Sequence, residues 1–283
     1  MPFQHYLIPN WPVPPYIKAF TTLRMDGHSQ APYDAFNLGL FTADNTASIL
    51  KNRQQLKTEL GLIKDPAWIK QVHGTRILQA DTIVDMPQAD ALWTTTPNVP
   101  CVVLTADCLP LLICGTPKVS NQSDSHANTE TSKANCIVAA VHAGWRGLTN
   151  GIIEATLDQL ILIQGTIKTD WRVWLGPAIG PTAFEVGAEV YERSLQNDAQ
   201  AALAFKSLGN DQWLANIYLL AKQRLSRYGI TQIDGGQYCT WSDPSRFYSY
   251  RRDAEKSGRM ASIIWIRGED EIICSLSIKN GEL

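Results

Sequence analysis

The sequence predicts one compact domain in which helices flank strands that are buried on both faces. Three observations carry that expectation. "CVVLTAD" at 101–107 and "CIVAAVHAG" at 136–144 are unbroken apolar runs, the pattern of strands covered on both sides. "TASILKNRQQLKTELGL" and the end of "ALAFKSLGNDQWLANIYLLAKQRLSRYG" carry apolar residues at helical spacing, closed by Gly61 and Gly229. The 283 residues, 45% hydrophobic, are enough for one large core or two modest ones, and no proline- or glycine-rich linker divides them.

In chain order, "IKAFTTL" is expected as a strand, followed by the helix over 46–62. "AWIKQVHG" reads as a strand ending at His73-Gly74, "TRILQA" continues after it, and "ADALWTTT" is a short element. The two apolar strands come next, then "GLTNGIIEATLDQLILI" as a helix and "DWRVWLGPAIG" as a strand entering a Gly-Pro turn. After the helix that Gly229 closes, "QYCTW", "FYSYRR", "ASIIWIRG" and "EIICSLSI" alternate as strands and loops. Residues 116–135 differ. "TPKVSNQSDSHANTETSKAN" holds almost no large apolar group and is expected as a mobile insertion loop, with His126 solvated.

Composition limits the function. The net charge of −2 gives no bulk attraction to nucleic acid or to an anionic membrane. No stretch approaches the ~20 apolar residues that span a bilayer. The proline-broken start, "MPFQHYLIPNWPVPPY", does not read as a signal peptide, so a cytoplasmic protein is expected. Six cysteines with no CxxC pair, five of them in or beside apolar runs, read mostly as core thiols in reducing surroundings.

The chemistry sits where strands stop. His73, Cys108 and His142 each follow a strand-forming run, and glycine lies close after both histidines. Three such ends suggest a Cys-His-His metal site with a fourth position left to water. The same residues allow a metal-free reading, with Cys108 as nucleophile, His142 as its base and Asp107 or another carboxylate as the group orienting it. A third reading leaves Cys108 an inert core thiol. Arg24, Arg146, Arg251 and Arg252 lie among aromatics and glycines, a setting that suits phosphate or carboxylate and the flat face of a base. "GPAIGP" at 176–181 lacks the spacing of a phosphate loop.

Taken together, "QVHGT", "ADAL", "TADCLPLL", "AAVHAGWRG", "LGPAIGPTAFEVG", "CTW" and "FYSYRRD…GRMAS" resemble, in order, the bacterial laccase-domain family, also called the polyphenol-oxidase or peptidoglycan-editing-factor family. "PYDAFNLGL" and "NRQQL" resemble its N-terminal part, so the likeness runs from about residue 18 to 266. The resemblance implies a single-domain α+β fold, a four-layer α/β/β/α sandwich with two mixed sheets. It implies zinc held by His73, Cys108 and His142, with copper the lesser choice. It also implies a small-molecule substrate: phosphorolysis of adenosine, inosine, guanosine and methylthioadenosine, and deamination of adenosine. The alternative it offers is amide hydrolysis of a UDP-muramyl precursor carrying serine. A non-catalytic zinc module would instead supply a fourth protein ligand.

On this reading Asp107 is the proton-shuttling candidate, and Arg24, Asn37, Arg146 and Arg251 are the candidate substrate contacts. The family's "TTRxGGxS" stands here as "TLRMDGHS", which alters the loop after Arg24 and places His28 where no ligand is expected. Five isolated histidines are too few for a multicopper oxidase, so laccase chemistry is not expected. The sequence leaves the oligomeric state open.

Overall fold

Residues 109–115, "LPLLICG", show how the layers arise. Leu111 and Ile113 point to one side of a strand, Leu112 and Cys114 to the other, and all four are buried. A strand of this kind needs cover on both faces, and the fold supplies it. The computed structural model describes residues 5–118, 135–196 and 198–268.

Two sheets lie face to face. The smaller orders its strands β1 (Tyr6–Leu7), β2 (Ile17–Thr22), β13 (Met260–Ile266) and β5 (Cys101–Thr105), with every pairing antiparallel. The larger orders β12 (Ile233–Gly235), β8 (Thr169–Leu175), β6 (Leu109–Pro117), β7 (Ile137–Ala143), β4 (Ala91–Thr94) and β3 (Ile77–Gln79). It is mixed: β12–β8 and β3–β4 are parallel, the rest antiparallel. Between the sheets, Cys101, Val103 and Ile264 pack with Leu112, Val138, Ala140 and Trp174.

Helices cover both outer faces. Leu111, Ile113, Ala139 and Val141 meet Ile153, Leu157 and Leu160 of α3 (Ile152–Gln164) and Leu220, Ala221 and Leu225 of α5 (Ile217–Arg227). Beyond the smaller sheet, Val102, Ala261 and Ile263 meet Phe36, Leu38 and Leu56, the last on α1 (Thr46–Glu59). The order is therefore helix, sheet, sheet, helix, the expected α/β/β/α sandwich, except that only the larger sheet is mixed, the smaller being antiparallel throughout. Burying each such Leu or Ile contributes roughly 1.5–3 kcal/mol. Among the described residues no helix is long and apolar enough to cross a membrane.

Four elements differ from the sequence reading. Residues 67–74 form isolated bridges to Cys101 and Gln88 instead of a strand. The Gln71 amide replaces the missing ladder, donating to the Leu104 carbonyl and accepting from its N–H, each at 2.7 Å. The helix after Gly144 breaks into α2 (Trp145–Thr149) and α3, because Gly151 turns left-handed at φ 93°. "FYSYRR" holds the short helix α6 (Tyr250–Asp253), capped by Ser249 Oγ accepting from Arg252 N–H. Residues 205–215 form a hairpin, β10 (Phe205–Gly209) and β11 (Gln212–Ala215), turned through left-handed Asn210 and Asp211. With β9 (Glu185–Gly187), which leads into α4 (Ala188–Leu195), the hairpin makes a third sheet. Most of the 116–135 segment, His126 included, and "EIICSLSI" with Cys274 lie outside the described residues.

Candidate metal and substrate site

The chain crosses from the smaller sheet to the larger between the end of β5 at Thr105 and the start of β6 at Leu109. Cys108 sits on that crossing. His142 lies on β7, opposite Pro110 of β6. His73 follows the irregular 67–72 stretch and takes φ 60°. The donor atoms of these three side chains all lie within 4.8 Å of one another. Cys108 Sγ stands 3.7 Å from His73 Nε2, and the two imidazole rings meet edge to face at 4.8 Å between centroids.

Asp90 organises both histidines from below. It is wholly buried, just before β4. Its Oδ1 accepts from His142 Nδ1–H at 2.8 Å and from the His73 N–H at 2.9 Å. Its Oδ2 accepts from the N–H groups of Gly74 at 2.7 Å and Val72 at 3.3 Å. With Nδ1 occupied, Nε2 of His142 is left for the cluster. Burial pushes the Asp90 carboxyl up, but His142 and these N–H groups outweigh it and hold it below the usual carboxylate range. Gly144 completes the cradle: an added Cβ would fall 2.7 Å from His73 Cδ2 and 2.9 Å from Cys108 Sγ. One thiol, two imidazoles and space kept clear between them fit a metal ion. Among the described residues the cluster has three members, with no fourth His, Cys, Asp or Glu.

Charge within the cluster is coupled. Burial raises the Cys108 thiol, yet the charge and hydrogen bonding of His142, then of His73, bring it down to about 6. Burial disfavours charge on His142, but the Cys108 thiolate and Asp90 carry it up to about 9. In metal-free protein, iodoacetamide labelling of the Cys108 peptide should therefore be half-maximal near pH 6, against ~8.5 for an ordinary cysteine. A midpoint at pH 8 or above, read by mass spectrometry, would contradict this electrostatic picture. Bound metal should protect the thiol.

The cluster forms part of the wall of a cavity of about 520 Å³. Aromatic side chains Phe41, Trp145, Phe184 and Tyr250 also line it, as do Arg146, Arg251 and Arg259. That volume lies in the range of small-molecule sites.

Comparison with known proteins agrees with this architecture. Residues 18–127 and 130–267 match the family described as "Multi-copper polyphenol oxidoreductase laccase". The chain belongs to this family. Proteins named purine nucleoside phosphorylase are similar to it: one of Pseudomonas aeruginosa, 42% identical over 93% of this chain and 98% of its own. Another, YfiH of Escherichia coli K12, is 42% identical over 92% and 98%. Among solved structures, a Neisseria meningitidis protein superposes with a TM-score of 0.81 at 36% identity, covering 94% of this chain and 100% of that one. YlmD from Geobacillus stearothermophilus gives 0.79 at 25% identity, covering 94% and 97%.

In this laccase-family chain the remaining candidates divide. Asp107 lines the cavity, but both its carboxylate oxygens are engaged. Thr240 Oγ1 donates to Oδ1 at 2.5 Å, while Ser249 Oγ at 2.9 Å and the Arg251 N–H at 2.6 Å donate to Oδ2. These bonds hold Asp107 at φ 86°, a conformation costly for a non-glycine residue. The geometry makes it an anchor for the crossing on the cavity wall. Arg24 is a correction: it does not line the cavity, because its guanidinium donates to the Asp34 and Pro244 carbonyls and stacks on Tyr248. Asn37 is a second correction. It is fully buried, its amide bound to Thr42, Asp44, Gly39 and the Arg259 N–H, so it shapes the cavity wall without reaching the space inside. Arg146, over the Trp145 ring, and Arg251, donating to the Glu185 carbonyl at 2.9 Å, do line it. Sequence reasoning missed Asp90 and Arg259, although both stand inside quoted motifs, "ADAL" and "GRMAS".

Proposed function

We propose that this chain is a zinc-dependent purine nucleoside enzyme. It phosphorolyses adenosine, inosine, guanosine and methylthioadenosine, and deaminates adenosine. The observation that carries this reading is the shared cavity. One wall presents three converging donors, and the others present exposed arginines and aromatic rings. The printed names of the relatives support the substrate class. His73, Cys108 and His142 would hold the metal, which would supply Lewis acidity. Copper is the lesser fit, and three donors together with five histidines in the whole chain supply one ion, short of a multicopper centre.

The chain's own residues do the positioning. Asp90 holds His142 by its Nδ1–H and fixes the 72–74 backbone beneath His73. Trp145 and Phe184 offer flat apolar faces to a purine, and Phe41 and Tyr250 close the same cavity. Arg146 and Arg251, exposed at the cavity, meet the polar part of the substrate.

The test is chromatography of adenosine incubated with zinc-loaded protein. Inosine should form without phosphate, and adenine when phosphate is supplied. Cys108→Ala, prepared identically, should lose both products by ~100-fold or more, since it removes a direct ligand. Equal product from the two preparations would mean a contaminating enzyme and would overturn the nucleoside reading in favour of amide hydrolysis.

A further inference from the structure

Among the described residues, Arg146, Arg251 and Arg259 line the cavity; the first two are exposed, whereas Arg259 is half-buried. Its Nη1 donates to the carbonyl oxygens of Ser257 at 2.7 Å and Gly258 at 2.9 Å. Those bonds use one nitrogen of the fork. Among the described residues, Nε and Nη2 have no hydrogen-bond partner and no carboxylate pairs with the guanidinium. The side chain is also held in place. Asn37 Oδ1 accepts the Arg259 N–H at 2.8 Å, and Cβ and Cγ pack so tightly on Gly39 that an added Cβ there would lie 2.7 Å from Cγ.

Thr105 pairs across the ladder with Met260, the residue after Arg259. Thr105 is 1% exposed and lines the same cavity, yet its Oγ1 has no hydrogen-bond partner. A buried hydroxyl left without a partner is costly, and so are guanidinium N–H groups left open in a half-buried place, even with Cys108 and Asp107 as attractive charges nearby. Both deficits are met by one ligand, a small anion with several acceptor oxygens. A planar fork with open N–H groups and a hydroxyl, both on the wall of one cavity, suit a tetrahedral oxyanion.

We propose that Arg259 and Thr105 form a subsite for inorganic phosphate on the cavity wall beside Cys108. Binding there needs nothing from the nucleoside reading; the use made of the phosphate rests on it. In that use the transfer balances. A hydrogenphosphate oxygen bonds to ribose C1′ as the bond from C1′ to the purine nitrogen breaks. The electron pair leaves with the purine, and the phosphate's proton ends on the purine.

The experiment titrates inorganic phosphate into the full-length protein by calorimetry with no nucleoside present, metal-loaded and metal-free. Wild type should bind saturably in both forms. Arg259→Met and Thr105→Val should each weaken binding about 10-fold or more, and Arg259→Lys, which keeps charge but not the fork, should fall between wild type and Arg259→Met. Should Arg259→Met fail to fold by circular dichroism, the near-isosteric Thr105→Val carries the test. Unchanged affinity in the variants, or binding that requires metal and ignores both residues, would overturn the subsite. Adenosine 5′-monophosphate distinguishes the other source of such oxygens. If it binds far more tightly than phosphate, and through Arg259, the subsite belongs to a nucleotide and the co-substrate assignment fails. Purine release by wild type with phosphate affinity intact in the variants sinks the subsite alone. Arg259-dependent phosphate binding without any nucleoside turnover sinks the nucleoside reading alone.

Discussion

Gly144→Ala should lower the affinity of the His73, Cys108 and His142 cluster for zinc almost as far as Cys108→Ala does. Gly144 has φ −63° and ψ 157°, a conformation any residue adopts, so alanine meets no backbone penalty there. The clash is with the donors alone. The new Cβ would lie 2.7 Å from His73 Cδ2, 2.9 Å from Cys108 Sγ and 3.3 Å from His73 Nε2. Neither side chain can keep its place at such distances, and the donors must part. Zinc affinity, measured by competition with a chelator, should fall ~100-fold or more, beyond what losing a residue that merely supports a ligand produces. The melting temperature of the metal-free protein should change little, because Gly144 opens α2 at the cluster, and the space the methyl enters belongs to the donors. Wild-type affinity in Gly144→Ala would show that the three donors do not converge on one ion.

The placement of His73, Cys108 and His142 after strand-forming runs left three readings open, an inert core thiol among them, and it was the family resemblance that singled out the cluster the fold brings together. "CVVLTAD" and "CIVAAVHAG" also announced their strands, since an apolar run with no polar face has to be covered twice. Asp90 was hidden for the opposite reason. A single carboxylate ahead of a four-residue strand looks like a turn residue, and only the fold shows four donors closing on it. Arg24 stands in an altered form of a family motif and Asn37 in "PYDAFNLGL", yet the bonds of both are spent inside the framework. Motif membership does not separate a side chain that builds the wall from one that faces the space within. The third sheet was missed because the strong helical pattern of 217–227 drew in the hairpin before it, whose signal was the Asn210-Asp211 turn.

Asp90→Ala should be the most destabilising single change at the site. It leaves the N–H groups of Val72, His73 and Gly74 and the Nδ1–H of His142 without their acceptor, next to a wholly buried position. Removing one partner of a buried charged pair costs ~3–5 kcal/mol, and metal affinity should fall a further 10–100-fold because His142 and the 72–74 turn lose their orientation. Asp90→Asn keeps one oxygen acceptor and should lose roughly half as much stability. The pH dependence separates charge from shape. The folded carboxyl lies below its unfolded value of ~3.9, so its contribution is complete above that value and is lost as pH falls through the lower folded one. Metal-free wild type should therefore show an acid-side loss of melting temperature below about pH 4 that Asp90→Ala lacks. Parallel melting curves for the two proteins from pH 7 down to pH 2, with no gap between them at neutral pH, would remove Asp90 from this role. A gap that persists undiminished into acid would mean that Asp90 fills space and that its charge does not bind the turn to His142.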